Sequence, residues 1–221
     1  MIRIACQQLL LKAEIVPLNP IIIDPQSMAD QVVKSTSDRF ESPDFYEVDD
    51  LLTEEQILIR NSVREFVKKE ISPYIDDWCQ RSYFPQEIVK KFGELGAFAP
   101  QLPVEYGCGG MDYMSYGLIM QEIERGDSGM RSTASVQGSL VMYPIYKFGS
   151  EEQKQKYLPK LASGDLLGCF GLTEPDYGSN PSGMVTNFKD IGDHYLLNGA
   201  KMWISNAPFA DIAVVLSLIH I

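Results

Sequence analysis

The chain has 221 residues, of which 45% are hydrophobic and 22% charged. That is enough for one large soluble domain or two small ones. Its net charge of −11 argues against nucleic-acid binding, which calls for a basic face. No apolar run reaches the roughly 18 residues of a membrane span, and four cysteines with two histidines show no ligand spacing, so free thiols and no metal are expected.

Residues 1–45 read as a non-native or disordered lead, and Met1–Ser27 has no clear period. Pro17, Pro20 and Pro25 interrupt it, and Glu14 and Asp24 make it unlike a transit peptide. Met28 opens a polar stretch that reads as an ordinary start, so residues 1–27 are expected to be upstream sequence. Residues 46–165 read as a helical domain. Thr53 and Gln56 form a capping box before a face of Ile59, Val63, Phe66 and Val67. Pro85 stands at the expected start of a helix carrying Ile88, Val89, Phe92 and Leu95, with Gly96 as its stop. A Gly-rich loop at Tyr106–Gly110 precedes a third helix over Tyr113–Glu124. A fourth is expected from Arg131 to Tyr143, stopped by Pro144. Ser150 and Gln153 form a second capping box, and that helix is expected to end near Gly164.

Residues 166–215 read as the opening strands of a β domain. A hairpin is expected over His194–Ser205, turned at Asn198-Gly199. The last six residues, Leu216–Ile221, read L-S-L-I-H-I and are taken as an adapter-derived, non-native tail. The fold class is therefore α+β, an all-α N-terminal domain followed by the start of a β domain.

The most informative run is Gly168–Ser182, G-C-F-G-L-T-E-P-D-Y-G-S-N-P-S. Taken alone, it suits any tight Gly-rich loop. Phe170, Leu172 and Thr173 fall at strand spacing, so Phe170 and Leu172 share one face. Gly178 and Ser179 let backbone and hydroxyl donors approach an anion or carbonyl closely. This run, with K-M-W-I-S-N at Lys201, Y-G-C-G-G at Tyr106 and G-S-E-E-Q-K-Q-K-Y-L-P at Gly149, closely resembles the acyl-CoA dehydrogenases. The resemblance covers roughly residues 40–215. The family signature commonly has Asp where this chain has Asn180, which keeps the turn but drops a charge.

The resemblance implies a β-barrel-like middle domain and FAD as cofactor. It implies flavin contacts from Phe170, Leu172, Thr173, Gly178, Ser179, Trp203, Ile204 and Ser205. Trp203 alone would read as a strand tryptophan filling a sheet face. Within the family, D-S-G-M-R-S-T-A-S-V-Q at Asp127 looks most like the glutaryl-CoA branch. There an Arg pairs the substrate's terminal carboxylate, which would otherwise be buried at a cost of several kcal/mol. On that resemblance Arg131, Ser132, Ser135 and Ser179 contact substrate, and Glu124, two helical turns earlier, steadies Arg131. Without it, Arg131 is an exposed helix arginine, and Ser132 and Ser135 are capping and packing residues.

The implied reaction removes an α-proton from an acyl-CoA and passes a β-hydride to the flavin. In the glutaryl branch CO₂ then leaves to give crotonyl-CoA. The family's catalytic Glu belongs to a C-terminal helical domain, so no catalytic residue is assigned here. The chain is expected to be an inactive piece of an active enzyme, with Glu174 a turn residue. Electron-transfer flavoprotein is the implied partner and a homotetramer the implied assembly. The location would be cytoplasmic in a bacterium and the mitochondrial matrix in a eukaryote. Two alternatives stand beside this reading: a short- or branched-chain acyl-CoA dehydrogenase, and a non-enzymatic interaction protein reusing the helical domain.

Overall fold

The computed structural model describes residues 45–219. The readings of residues 1–44, with the start at Met28 and the thiol of Cys6, and of the final His220 and Ile221 lie outside them.

Helix α1 (Glu54–Glu70) starts at the expected capping box. Thr53 Oγ1 accepts from the Gln56 amide at 3.2 Å, and Gln56 Oε1 accepts from the Thr53 amide at 3.0 Å. Glu54 and Glu55 in its first turn and Lys68 and Lys69 in its last oppose the helix dipole. Its apolar face buries Val63 and Val67 against α4 (Tyr113–Gly126), with Ile59 and Phe66 partly buried beside them. Between them lie a short helix α2 (Ile75–Gln80), which has no signal in the sequence reading, and α3 (Glu87–Glu94). Helix α3 begins two residues after Pro85, because Pro85 O first closes a turn onto the Ile88 amide. It ends at Gly96, whose φ of +72° lets the Ala97 amide return to Phe92 O at 2.9 Å.

The fourth predicted helix is longer than expected and is built in three parts. Helix α5 (Ser128–Ser135) runs into a π-helical stretch, Val136–Met142, and then α6 (Tyr143–Phe148). It starts three residues earlier than expected because Asp127 caps it, accepting from the Met130 amide at 2.8 Å. Pro144 does not stop it. The Tyr143 amide already reaches back five residues to Gly138 O, so the missing Pro144 N–H falls where the regular ladder is interrupted. Helix α7 (Glu151–Ala162) opens on the Ser150–Gln153 capping box and is followed by Gly164 at φ +72°. Ile71, Phe92, Ile123, Met142, Leu158 and Leu161 are fully buried between these helices. No helix among the described residues is long and apolar enough to cross a membrane.

Strand β1 (Gly168–Gly171) lies on the π-helical stretch and pairs in parallel with β4 (Ile212–Val215), Gly168 opposite Ile212. A Cβ at Gly168 would stand 2.5 Å from Val141 Cγ1, so only glycine permits this approach. Strands β2 (Asn187–Asp190) and β3 (Tyr195–Asn198) pair antiparallel, and β5 (Leu218–Ile219) joins β2 in parallel. The described strands form these two small sheets and no closed barrel.

The hairpin forms one step earlier than the sequence reading places it. Its turn is Ile191–His194, closed by the Ile191 amide on His194 O at 3.1 Å, with Gly192 at φ +101°. A type I′ turn at Asn198-Gly199 would need positive φ at both residues, and only Gly199 has it. Residues 200–206 therefore form no return strand. Two residues of the stretch read as a non-native tail join the sheets: the Leu216 amide donates to Gly171 O and the Leu218 amide to Thr186 O.

Candidate functional site

The strand expected through Thr173 ends at Gly171. Leu172 and Thr173 leave it half-buried, and the chain then folds on itself at Glu174–Tyr177, which exchange both backbone hydrogen bonds. Gly178, Ser179 and Asn180 follow as exposed loop. Thr173 O accepts from the Met202 amide at 2.9 Å, which lays the segment Lys201–Asn206 alongside Leu172–Glu174.

A buried ion pair fixes that alignment. Lys201 Nζ lies 2.9 Å from Glu174 Oε1 and donates also to Leu172 O at 2.9 Å. The Glu174 carboxylate further accepts from the amides of Val185 at 2.7 Å and Thr186 at 3.0 Å. Burial alone would push the Glu174 carboxyl up. The Lys201 ammonium and the Thr186 and Val185 donors outweigh it and hold it at about 2.

Two residues on, Trp203 adopts φ +59° and is 85% exposed. Positive φ is unusual for a bulky residue and costs about 1–3 kcal/mol, so the surroundings must over-determine it. Trp203 is thus in an irregular turn and fills no sheet face. Ile204 is half-buried, its carbonyl accepting from the Ala207 amide, and Ser205 is exposed. Asn206, also at positive φ (+68°), closes the segment: its Nδ2 donates to Gly168 O at 3.1 Å and reaches Thr133 O at 3.5 Å. Through Asn206 the segment touches both β1 and α5.

Arg131 lies on α5, two residues before Thr133. Glu124 is on α4, so the pair spans the extended bend at Asp127 instead of two turns of one helix. Arg131 Nε donates to Glu124 Oε2 at 2.6 Å and Nη1 to Ser135 Oγ at 3.2 Å. Nη2 makes no hydrogen bond among the described residues, and the side chain is 36% exposed. The Ser128 hydroxyl, at 2.5 Å from Glu124 Oε1, and Arg131 together hold the Glu124 carboxyl below its usual range. The geometry brings Glu124, Arg131 and Ser135 together. Ser132 enters only through its carbonyl, which accepts from the Ser135 hydroxyl.

Four side chains that matter here have no role in the sequence reading: Lys201, Asn206, Ser128 and Gln137. Gln137 is fully buried. Its Nε2 donates to Leu161 O and Leu166 O and its Oε1 accepts from the Gly168 amide, so it ties α7 and the π-helical stretch to β1. Ser128 is only four residues from Glu124, but the bend at Asp127 lies between them, so no helical spacing flags it. An open cleft of about 550 Å³ lies elsewhere, lined by Met184, Val185, Lys189 and Leu196 among others. No cluster of three or more His, Cys, Asp or Glu among the described residues could hold a metal ion.

The fold is a helical part leading into short strands, with the positive-φ turn at Trp203 tied to both through Asn206. The N-terminal-domain model of the acyl-CoA dehydrogenases matches residues 53–165 and the middle-domain model residues 169–219, so the chain belongs to the acyl-CoA dehydrogenase family. Among relatives it is 43% identical over 166 residues to the glutaryl-CoA dehydrogenase of Desulfococcus multivorans, covering 74% of this chain and 43% of that protein. It is 42% identical over 164 residues to the human mitochondrial short-chain specific acyl-CoA dehydrogenase, covering 74% and 40%. Among solved structures it superposes on the Mycobacterium smegmatis glutaryl-CoA dehydrogenase in complex with FADH2 with a TM-score of 0.77 at 48% identity, covering 79% of this chain and 45% of that one. The chain spans less than half the length of these curated relatives.

Proposed function

We propose that the full-length protein carrying these residues is an FAD-dependent acyl-CoA dehydrogenase whose substrate is glutaryl-CoA. The residues present suit a flavin. Thr173 offers a hydroxyl and an amide with no partner among the described residues, and the Met202 amide, bound to Thr173 O, brings the backbone of the exposed Trp203 close to it. Leu172, Ile204 and Ser205 flank that pair in sequence, and exposed Gly178 and Ser179 allow a close backbone approach to a phosphate or carbonyl. FAD, when bound, supplies the acceptor for the β-hydride. Glu174 is no candidate for the α-proton base: an acid held at about 2 and locked to Lys201 is a weak base.

The observation that carries the substrate reading is Arg131. Two of its nitrogens are already oriented by Glu124 and Ser135, leaving Nη2 for a third acceptor. A guanidinium set in this way meets a terminal carboxylate without reorganising. Ser135 and Glu124 act by aiming it, and Ser132 and Ser179 are proposed as further substrate contacts. Decarboxylation to crotonyl-CoA, transfer of electrons to an electron-transfer flavoprotein and a homotetrameric assembly complete the proposal.

A second reading has its own support. The Arg131–Glu124 pair could serve the α4–α5 bend alone, in an enzyme acting on short acyl chains. Arg131→Gln in the full-length protein separates the two. The glutaryl reading expects kcat/KM for glutaryl-CoA to fall roughly a hundredfold or more. Butyryl-CoA has no terminal carboxylate and should lose little. Equal losses on both substrates would leave Arg131 a structural residue and favour the short-chain reading.

A further inference from the structure

We infer that Glu174 and Lys201 form a positioning pair that sets the Thr173–Trp203 surface. The inference rests on the flavin reading of that surface. Its basis is a buried charge pair that binding and chemistry leave unused. Glu174 is 1% and Lys201 13% exposed at the side chain. Every hydrogen bond the pair makes ends on one of the segments that converge at the surface. Lys201 Nζ reaches Leu172 O, one residue before Thr173. Glu174 follows Thr173 directly, and its carboxylate takes the amides of Val185 and Thr186. The Met202 amide, next to Lys201, closes on Thr173 O.

Trp203 comes immediately after this anchor, in a backbone conformation it would not choose alone. Asn206 ties the far end to Gly168 O. The turn is therefore held at both ends, with the ion pair at the end adjoining Trp203. A buried carboxylate carrying only backbone partners, or a buried ammonium with only a carbonyl, would not hold this arrangement, because the uncompensated charge would draw in water. The pair presets the surface before any ligand arrives, and this lowers the ordering cost of binding.

Hydrogen exchange on the flavin-free full-length protein, read by peptide, tests this directly. The variants are Lys201→Met and Lys201→Arg, with FAD affinity measured in parallel. Loss of a charged partner moves a local equilibrium by about tenfold or more. Lys201→Met should therefore speed exchange in the peptide covering 199–206 about tenfold and weaken FAD binding by a similar factor. Peptides from Glu54–Glu70 and Glu151–Ala162 should stay at wild-type rates. Lys201→Arg, which keeps the charge, should bring both readouts most of the way back to wild type. Unchanged exchange at 199–206 in Lys201→Met would overturn the inference, and so would equal acceleration in the helices, which would mean a general structural role. If wild-type protein takes up no FAD, the flavin reading falls, while the exchange experiment still decides the clamp.

Discussion

The helical and strand-bearing parts of this chain are held by different forces. Residues 53–165 bury a continuous apolar core, with Phe92, Ile123, Leu158 and Leu161 at or near zero exposure. Leu167 and, from β4, Ile212 and Val214 join that core, but over residues 172–211 the picture reverses. Every residue of β3 is exposed, Leu196 at 54%, and the order comes from polar ties: Glu174–Lys201, Asn206 to Gly168, and Gln137 to Gly168. Apolar packing is non-directional and tolerates small shifts of shape. Charged and hydrogen-bonded ties are directional, so they can hold a strained turn such as Trp203 in one geometry. The first part supplies stability and the second supplies placement.

That contrast can be broken most forcefully in the core. Phe92 packs against Phe66 and Phe98 with ring centroids at 5.8 and 6.0 Å. Phe92→Ala should cost about 3–5 kcal/mol, read as a shifted urea midpoint of the far-UV helical signal. Gln137→Ala strikes the seam between the two parts. It leaves the Gly168 amide and Leu166 O without this partner, while Leu161 O keeps the Gly164 amide at 3.3 Å; the buried Gly168 amide left unpaired should cost about 1–3 kcal/mol. Hydrogen exchange at Gly168–Gly171 should rise, with a smaller change at Glu54–Glu70.

Acid sharpens the comparison. The Glu174 carboxyl is held at about 2 in the folded protein, against an ordinary value of 4.5. Its stabilising contribution is therefore fully present above 4.5 and is lost as pH falls from there towards 2. Glu174→Gln should flatten this part of the acid profile, measured as the near-UV signal of the aromatic side chains. Ser150→Ala removes the α7 cap and should cost about 1 kcal/mol, a small fall in Tm. Smallest of all, Leu196→Lys on the exposed strand should change the stability of this chain by less than about 0.5 kcal/mol. A larger loss would mean that β3 contributes to a core after all.

What the sequence makes legible is what is local. Both capping boxes, the Gly96 stop and the order of helix then strand follow from neighbours within four residues, and the family follows from short contiguous motifs. Pro144 misleads because the π-helical stretch that accommodates it is set by packing against β1 and α7. Asn198-Gly199 misleads because a competing turn at Ile191–His194 lies within reach and Gly199 is pressed against Thr186. Lys201 and Glu174 stand 27 positions apart, and neither carries a sign of the other. Arg131, Glu124 and Ser135 are near in sequence, so their cluster is visible there, although the bend at Asp127 that makes it is not.

The proposed role of the Thr173–Trp203 surface is to receive a flavin. The direct test is FAD titration of the flavin-free full-length protein, wild type against Thr173→Val, which removes one hydroxyl while keeping the side-chain shape. The account predicts one FAD per wild-type chain, and a Kd weakened about three- to tenfold by loss of one hydrogen bond, with Tm unchanged in the absence of flavin. A wild-type protein that binds no FAD, or a Thr173→Val protein that binds it equally well, would contradict it.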